Sequence, residues 1–186
     1  MPAQPQVYTV DGLYRPLFDV TGAAIDETVE VYSNQNQNPT GLDTPYQLQI
    51  TEDYTGTSFD VGTDGVFTMK KPGLFDVRVS MSLGRATNSG DAFLLVRGEL
   101  DPGGVASQGW IVPTKPRVFE VENSKAIVPV LFNVIFNISA VGPVPPKVRA
   151  VIYRDSIGVN DGGIISVNST LWGATSSMTM NITHSS

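Results

Sequence analysis

Asp64-Gly65-Val66-Phe67-Thr68-Met69-Lys70-Lys71-Pro72-Gly73-Leu74-Phe75-Asp76-Val77-Arg78-Val79-Ser80-Met81-Ser82-Leu83 sets out an architecture in twenty residues. Asp64-Gly65 and Pro72-Gly73 are turn pairs, because Gly tolerates positive φ, Asp can bond its own backbone and Pro pre-sets φ. After the second pair, Phe75, Val77, Val79, Met81 and Leu83 alternate with Asp76, Arg78, Ser80 and Ser82. One face is apolar and the other polar, as in a strand with one side on a core and one in water. The spacing predicts a β-hairpin, with residues 66–69 and 74–83 as its arms.

The same punctuation recurs on both sides of this stretch. Tyr46, Leu48 and Ile50 alternate with Gln47 and Gln49, and residues 58–61 precede the Asp64-Gly65 turn. Downstream, residues 92–100, 109–112, 117–122, 126–139, 147–154, 164–167 and 177–183 read as strands. They are separated by turn clusters such as Asp101-Pro102-Gly103-Gly104, Gly142-Pro143 and Asn160-Asp161-Gly162-Gly163. About ten short strands with no amphipathic helix predict an all-β antiparallel sandwich. No internal repeat is present, which argues against a propeller or solenoid.

Residues 1–40 read differently. Tyr8, Val10, Leu13, Tyr14, Leu17, Phe18 and Val20 are interrupted by Asp11-Gly12, Pro16 and Gly22, too irregularly for a long helix or strand. Residues 27–32 suggest a short strand, and Ser33-Asn34-Gln35-Asn36-Gln37-Asn38-Pro39-Thr40-Gly41 reads as a polar linker able to bury almost nothing. The expectation is an N-terminal arm and linker over 1–40 and a sandwich domain over 41–186. So many large apolar residues suit an arm laid against another subunit or protein.

Composition narrows the function. At 186 residues the chain can bury about 70% of the surface exposed on unfolding. It has no cysteine, which excludes a disulfide framework, thiolate metal ligands and a Cys nucleophile. The formal net charge is −6 and Lys70-Lys71 is the only adjacent basic pair, so no phosphate-binding stripe exists and nucleic acid is not an expected partner. Charged residues are 16% of the chain, against about a quarter in globular proteins generally, which suits faces covered by neighbours. Met1-Pro2-Ala3-Gln4-Pro5-Gln6 has no secretory pattern, and the longest apolar run, residues 126–138, is broken by Pro129, Asn133 and Asn137. A membrane is therefore not an expected partner either.

Catalytic signals are weak. His184, the only histidine, sits two residues from the C-terminus and reads as solvated, which removes a Ser-His-Asp triad. Glu99, Glu120 and Glu122 could pair for glycoside hydrolysis, but exposed strand acids explain them equally well. The run from Asp60 resembles the start of a calcium loop and fails at its twelfth position, Lys71. Residues 84–90 carry neither a P-loop nor a dinucleotide fingerprint. The expectation is a non-enzyme with no cofactor and no metal.

Gly65-x-Phe67 followed by Pro72-Gly73-x-Phe75-x-Val77 resembles the Gly-x-Phe … Pro-Gly-x-Tyr-x-Val pattern of the tumour necrosis factor and complement globular-head superfamily. Asp161-Gly162-Gly163 leading residues 164–167, and the alternating residues 177–182, are similar to the close of that jelly roll. The resemblance covers residues 45–186 and implies a jelly-roll sandwich that assembles as a homotrimer. Members without a collagenous stalk, leader or membrane anchor are familiar as capsid decoration proteins, head fibres and tail-tip modules of bacteriophages. It therefore implies a virion protein made in the host cytoplasm, a capsid decoration or head-spike protein whose partners are itself and the viral capsid protein.

Residues then fall into expected roles. Val128, Val130, Phe132, Val134, Phe136 and Ile138 form a core face, leaving Leu131, Asn133, Ile135 and Asn137, together with Tyr153, as candidates for the trimer interface. Tyr8, Leu13, Tyr14, Leu17 and Phe18 are candidates for shell attachment through the arm. A receptor- or glycan-binding tip module is an alternative, with Trp110 and Trp172 as contacts for a host-surface glycan and Tyr153 and Tyr46 as further aromatic faces on which a sugar ring could stack, although core or interface packing explains such residues equally often. A shell-forming capsid protein is a second alternative, although it calls for a basic arm and residues 1–40 contain only Arg15.

Overall fold

The computed structural model describes residues 6–8, 14–16, 25–85, 90–107, 109–112, 115–122, 127–169 and 173–186. They form an all-β sandwich of antiparallel sheets, as the alternation predicts. The strands, in chain order, are β1 (Gln6–Tyr8), β2 (Tyr14–Pro16), β3 (Ile25–Ser33), β4 (Tyr46–Gln47), β5 (Tyr54–Thr55), β6 (Phe59–Val61), β7 (Phe67–Met69) and β8 (Gly73–Gly84). They continue as β9 (Ala92–Asp101), β10 (Arg117–Val121), β11 (Val128–Ile138), β12 (Lys147–Arg154), β13 (Gly163–Ile164), β14 (Asn168–Ser169), β15 (Gly173–Ala174) and β16 (Met178–Ser185). One sheet runs β11-β8-β16-β3, with β13 beside β8. The other runs β10-β9-β12-β7-β6-β5, with β4 beside β12. The chain changes sheet between β7 and β8, between β8 and β9, between β10 and β11, and between β11 and β12, which is jelly-roll connectivity.

The opening stretch corrects the hairpin expectation. The turn at residues 62–65 does close a hairpin, but it joins β6 to β7, with Phe59 opposite Met69 and Val61 opposite Phe67. The Pro72-Gly73 pair instead turns a corner from one sheet to the other. Alternation in β7 and β8 showed which side of each strand is apolar but could not show whether the strands pair edge to edge or face each other. They face each other: the Phe67 and Phe75 rings meet edge-on, centroids 5.6 Å apart, and Phe59 lies 5.0 Å from Phe67. Around this aromatic centre pack Val77, Val79, Met81, Leu94, Val96, Phe132, Val134, Ile152, Met180 and Ile182, the inward residues of the two sheets.

His184 overturns its reading as a solvated terminal residue. It is fully buried on β16, its ring 4.6 Å from Phe75, with Nε2 3.0 Å from the Pro72 carbonyl. Its Nδ1 lies 3.3 Å from Asp26 Oδ2, an ion-pair distance without hydrogen-bond alignment. The final strand is central in its sheet, so nearness to the C-terminus does not mean exposure.

The expected boundary at residue 40 also moves. β3 pairs with β16 from Ser33 opposite Met178 to Ile25 opposite Ser185, so residues 25–33 are sandwich and not arm. The Asn- and Gln-rich run behind it is fastened too. Gln37 is buried, exchanges main-chain bonds with Ile164 at 2.8 and 2.9 Å, and its side-chain amide bonds both the N–H and C=O of Gln49. Polar residues can be buried when every donor and acceptor is met, and apolar patterning does not register that.

Candidate functional site

The sheet β11-β8-β16-β3 leaves its outer face open. Because strand side chains alternate, the residues between the core positions of β11 all point outward: Leu131 and Ile135 are each 64% exposed, flanked by exposed Asn133 and Asn137. Across the register, Leu131 sits opposite Ser80, Asn133 opposite Arg78, and Ile135 opposite Asp76. Beyond these lie Thr179, Asn181 and Thr183 of β16, then Tyr32, Glu30 and Thr28 of β3. The face is short-chained and mostly uncharged. Arg78 and Asp76 pair at 2.7 Å in its middle, and two large aliphatic side chains stand on its β11 edge.

Tyr153 does not join this group. It lies on β12, in the other sheet, with its side chain on the outer side because its neighbours Ile152 and Ala150 point into the core. The sandwich separates it from Leu131 and Ile135. The shared aliphatic and aromatic character of the candidates hid the fact that their strands belong to different sheets.

Around Tyr153 the structure builds a charged network. Glu99 stands directly opposite Arg149 across the β9–β12 ladder, and Arg97 is two residues away on the same side of β9. Glu99 is only 3% exposed; its Oε1 accepts from Arg97 Nε at 2.9 Å and its Oε2 from Arg149 Nε at 2.8 Å. Arg149 Nη1 also donates to Gln47 Oε1 at 2.8 Å. Each guanidinium lies against a ring: Arg149 is 4.3 Å from the Trp110 centroid and Arg97 5.1 Å from that of Tyr153. Burial, offset in part by the nearby Arg97 charge, raises the Tyr153 hydroxyl above its ordinary pKa and keeps it protonated. Trp110 reaches this position because Ile111 bridges Leu100 in both directions, at 2.8 and 2.9 Å, laying the 109–112 segment along β9.

A second buttressed carboxylate stands at the start of β3. Glu27 accepts from Tyr54 Oη at 2.8 Å, Thr57 Oγ1 at 2.7 Å, Thr57 N at 3.1 Å and Ser58 N at 2.7 Å. Burial would raise its pKa, but the hydrogen bonds from Thr57, Tyr54 and Ser58 outweigh it and bring the carboxyl from the ordinary 4.5 to about 2. This contact ties the first strand of the sandwich to the loop between β5 and β6.

The remaining candidates are placed as follows. Tyr8 and Tyr14 face each other in the register of the small β1–β2 hairpin, while Leu13, Leu17, Phe18 and Trp172 lie outside the described residues. Asp60 pairs with Lys70 at 2.7 Å and Asp64 caps its own turn through Val66 N at 3.0 Å, so both acids of the calcium-like run serve local structure. Glu120 and Glu122 are exposed and Glu99 is held by two arginines, so the three acids occupy different environments. Among the described residues no cluster of three or more His, Cys, Asp or Glu could hold a metal.

Sequence reasoning missed the network. Its local signal was Arg97-x-Glu99, a basic and an acidic residue on one side of a strand, but Arg149 joins them only through the β9–β12 register. No family model matches the chain, and no curated protein matches it. Among solved structures, the PRD1 vertex protein P5 is similar at 13% identity over 87% of this chain and 97% of that one, with a TM-score of 0.40.

Proposed function

We propose that this protein is a structural component of a bacteriophage particle, a homotrimer that decorates or caps the capsid and attaches through its N-terminal segment. The observation that supports self-assembly best is the open outer face of the β11-β8-β16-β3 sheet. Leu131 and Ile135 stand exposed there among hydroxyl and amide side chains, and such aliphatic residues gain about 1.5–3 kcal/mol each when covered. The Arg78–Asp76 ion pair beside Leu131 and Ile135 is internally neutral, and the exposed Glu30 stands on β3, at the opposite edge of the sheet from them. The sparse charge of the whole chain and the jelly-roll connectivity agree with a protein built to pack against neighbours.

Attachment is assigned to residues 1–24, with Tyr8, Leu13, Tyr14, Leu17 and Phe18 as the apolar contacts and the viral capsid protein as partner. Three such segments on one trimer bind through effective concentration even when each is weak alone. A chain beginning at residue 25 is expected to stay folded and trimeric but to lose co-sedimentation with particles that retain the full chain. Particle binding unchanged by the deletion would sink the attachment role.

A further inference from the structure

The network on the opposite outer face has the build of a ligand site. A carboxylate removed from water is costly unless it is fully paired, and Glu99 is paired by two arginine forks. Two guanidiniums against one carboxylate leave one positive charge in excess, on a protein whose net charge is −6. Lys147 is the register partner of Asp101 at one end of the same ladder, and Asp155, whose charge reaches Tyr153, follows its other end, so the excess belongs to the Arg97–Glu99–Arg149 group itself.

The excess charge is presented outward. The Arg97 and Arg149 side chains are 25% and 22% exposed, and Arg97 Nη1 makes no hydrogen bond among the described residues. Glu99 fixes both guanidiniums before any ligand arrives, so little side-chain freedom remains to be lost on binding. Trp110 and Tyr153 flank the arginines, which supplies flat apolar surface next to charge-assisted donors. A bare inorganic anion would need only the donors. A nucleic acid would need a wider basic surface than one excess charge.

We propose that this face binds an acidic saccharide, a sugar carrying a carboxylate. The carboxylate is received by the outward edge of Arg97 with the Tyr153 hydroxyl beside it, and the sugar ring lies against the aromatic side chains. The proposal goes beyond particle assembly and does not depend on it, since the face points away from the β11 sheet.

The test is a nuclear magnetic resonance titration of the intact protein, following the Trp110 indole N–H with 3′-sialyllactose, with lactose and with sodium sulfate. The Trp110 signal is identified by its loss in Trp110→Ala. Sialyllactose is expected to shift it saturably at millimolar concentration, with lactose at least about tenfold weaker and Arg97→Gln weakening the acidic sugar by a similar factor. If Arg97→Gln fails to fold, Trp110→Ala, in the short segment bridged to the side of β9, is read instead by the remaining backbone signals of β9 and β12. No saturable shift with the parent protein, sulfate as effective as the sugar, or sugar binding unchanged in both variants would each overturn the proposal.

Discussion

Gly73 has φ 139°, and a Cβ built there would press on His184 Nε2 and the Ser185 carbonyl. The sheet-crossing corner thus needs glycine twice, for its backbone and for the closeness of the buried histidine. Gly73→Ala is expected to destabilise the fold by about 2–4 kcal/mol, the sum of backbone strain and overpacking, as read by denaturant unfolding. Gly98 is the opposite case. Its φ is ordinary, and an added Cβ would meet Phe136 and Val134 at 3.7 Å, normal packing distance, beside a small apolar void between the sheets. Gly98→Ala should therefore stabilise by about 0.5–1 kcal/mol and raise the melting temperature. At this scale the sequence carried half of the story: Pro72-Gly73 announced a turn, but what Gly73 packs against lies 111 residues away at His184.

At the scale of elements, β3 is the strand whose attachment matters most, because it is the edge of its sheet and the exit to residues 1–24. Glu27 fastens it to the 54–58 loop. Glu27→Gln replaces a charged acceptor and is expected to cost about 1–2 kcal/mol at neutral pH. Since the folded carboxyl titrates near 2 and the unfolded one near 4.5, its contribution is complete above pH 4.5 and is lost as pH falls toward 2. The gap in melting temperature between parent and Glu27→Gln should close across that interval; a gap independent of pH would mean the charge is not the fastener. The composition of β3 makes it hard to read as a sandwich strand. Val29 and Val31 turn toward the core on alternate positions, but Asp26 and Glu27 before them and Glu30 between them dilute the pattern. The following polar run is held by Gln37's bonds and not by apolar burial. By contrast, β8, β11 and β16 were legible because their inward positions are apolar without interruption, apart from His184 at the end of β16.

The whole molecule presents two unlike outer faces. One is short-chained and nearly neutral, with Leu131 and Ile135 on its edge strand; the other carries the Trp110, Arg149, Glu99, Arg97 and Tyr153 network. Under the proposed function, assembly uses the first face and ligand contact the second. The division between the faces was illegible in the sequence because the strand that carries Tyr153 enters the second sheet only through the fold's crossovers. Replacing Leu131 and Ile135 by Asn and Thr touches neither the core side of β11 nor the network. The double variant is expected to keep its melting profile while its native mass falls to that of a monomer, and an unchanged oligomer would move the interface elsewhere.

The most direct measurement is the native mass of the intact protein in solution across micromolar to nanomolar concentration. A trimer that persists on dilution is the predicted result. A monomer at every concentration would contradict self-assembly through the β11 face, and with it the decoration role.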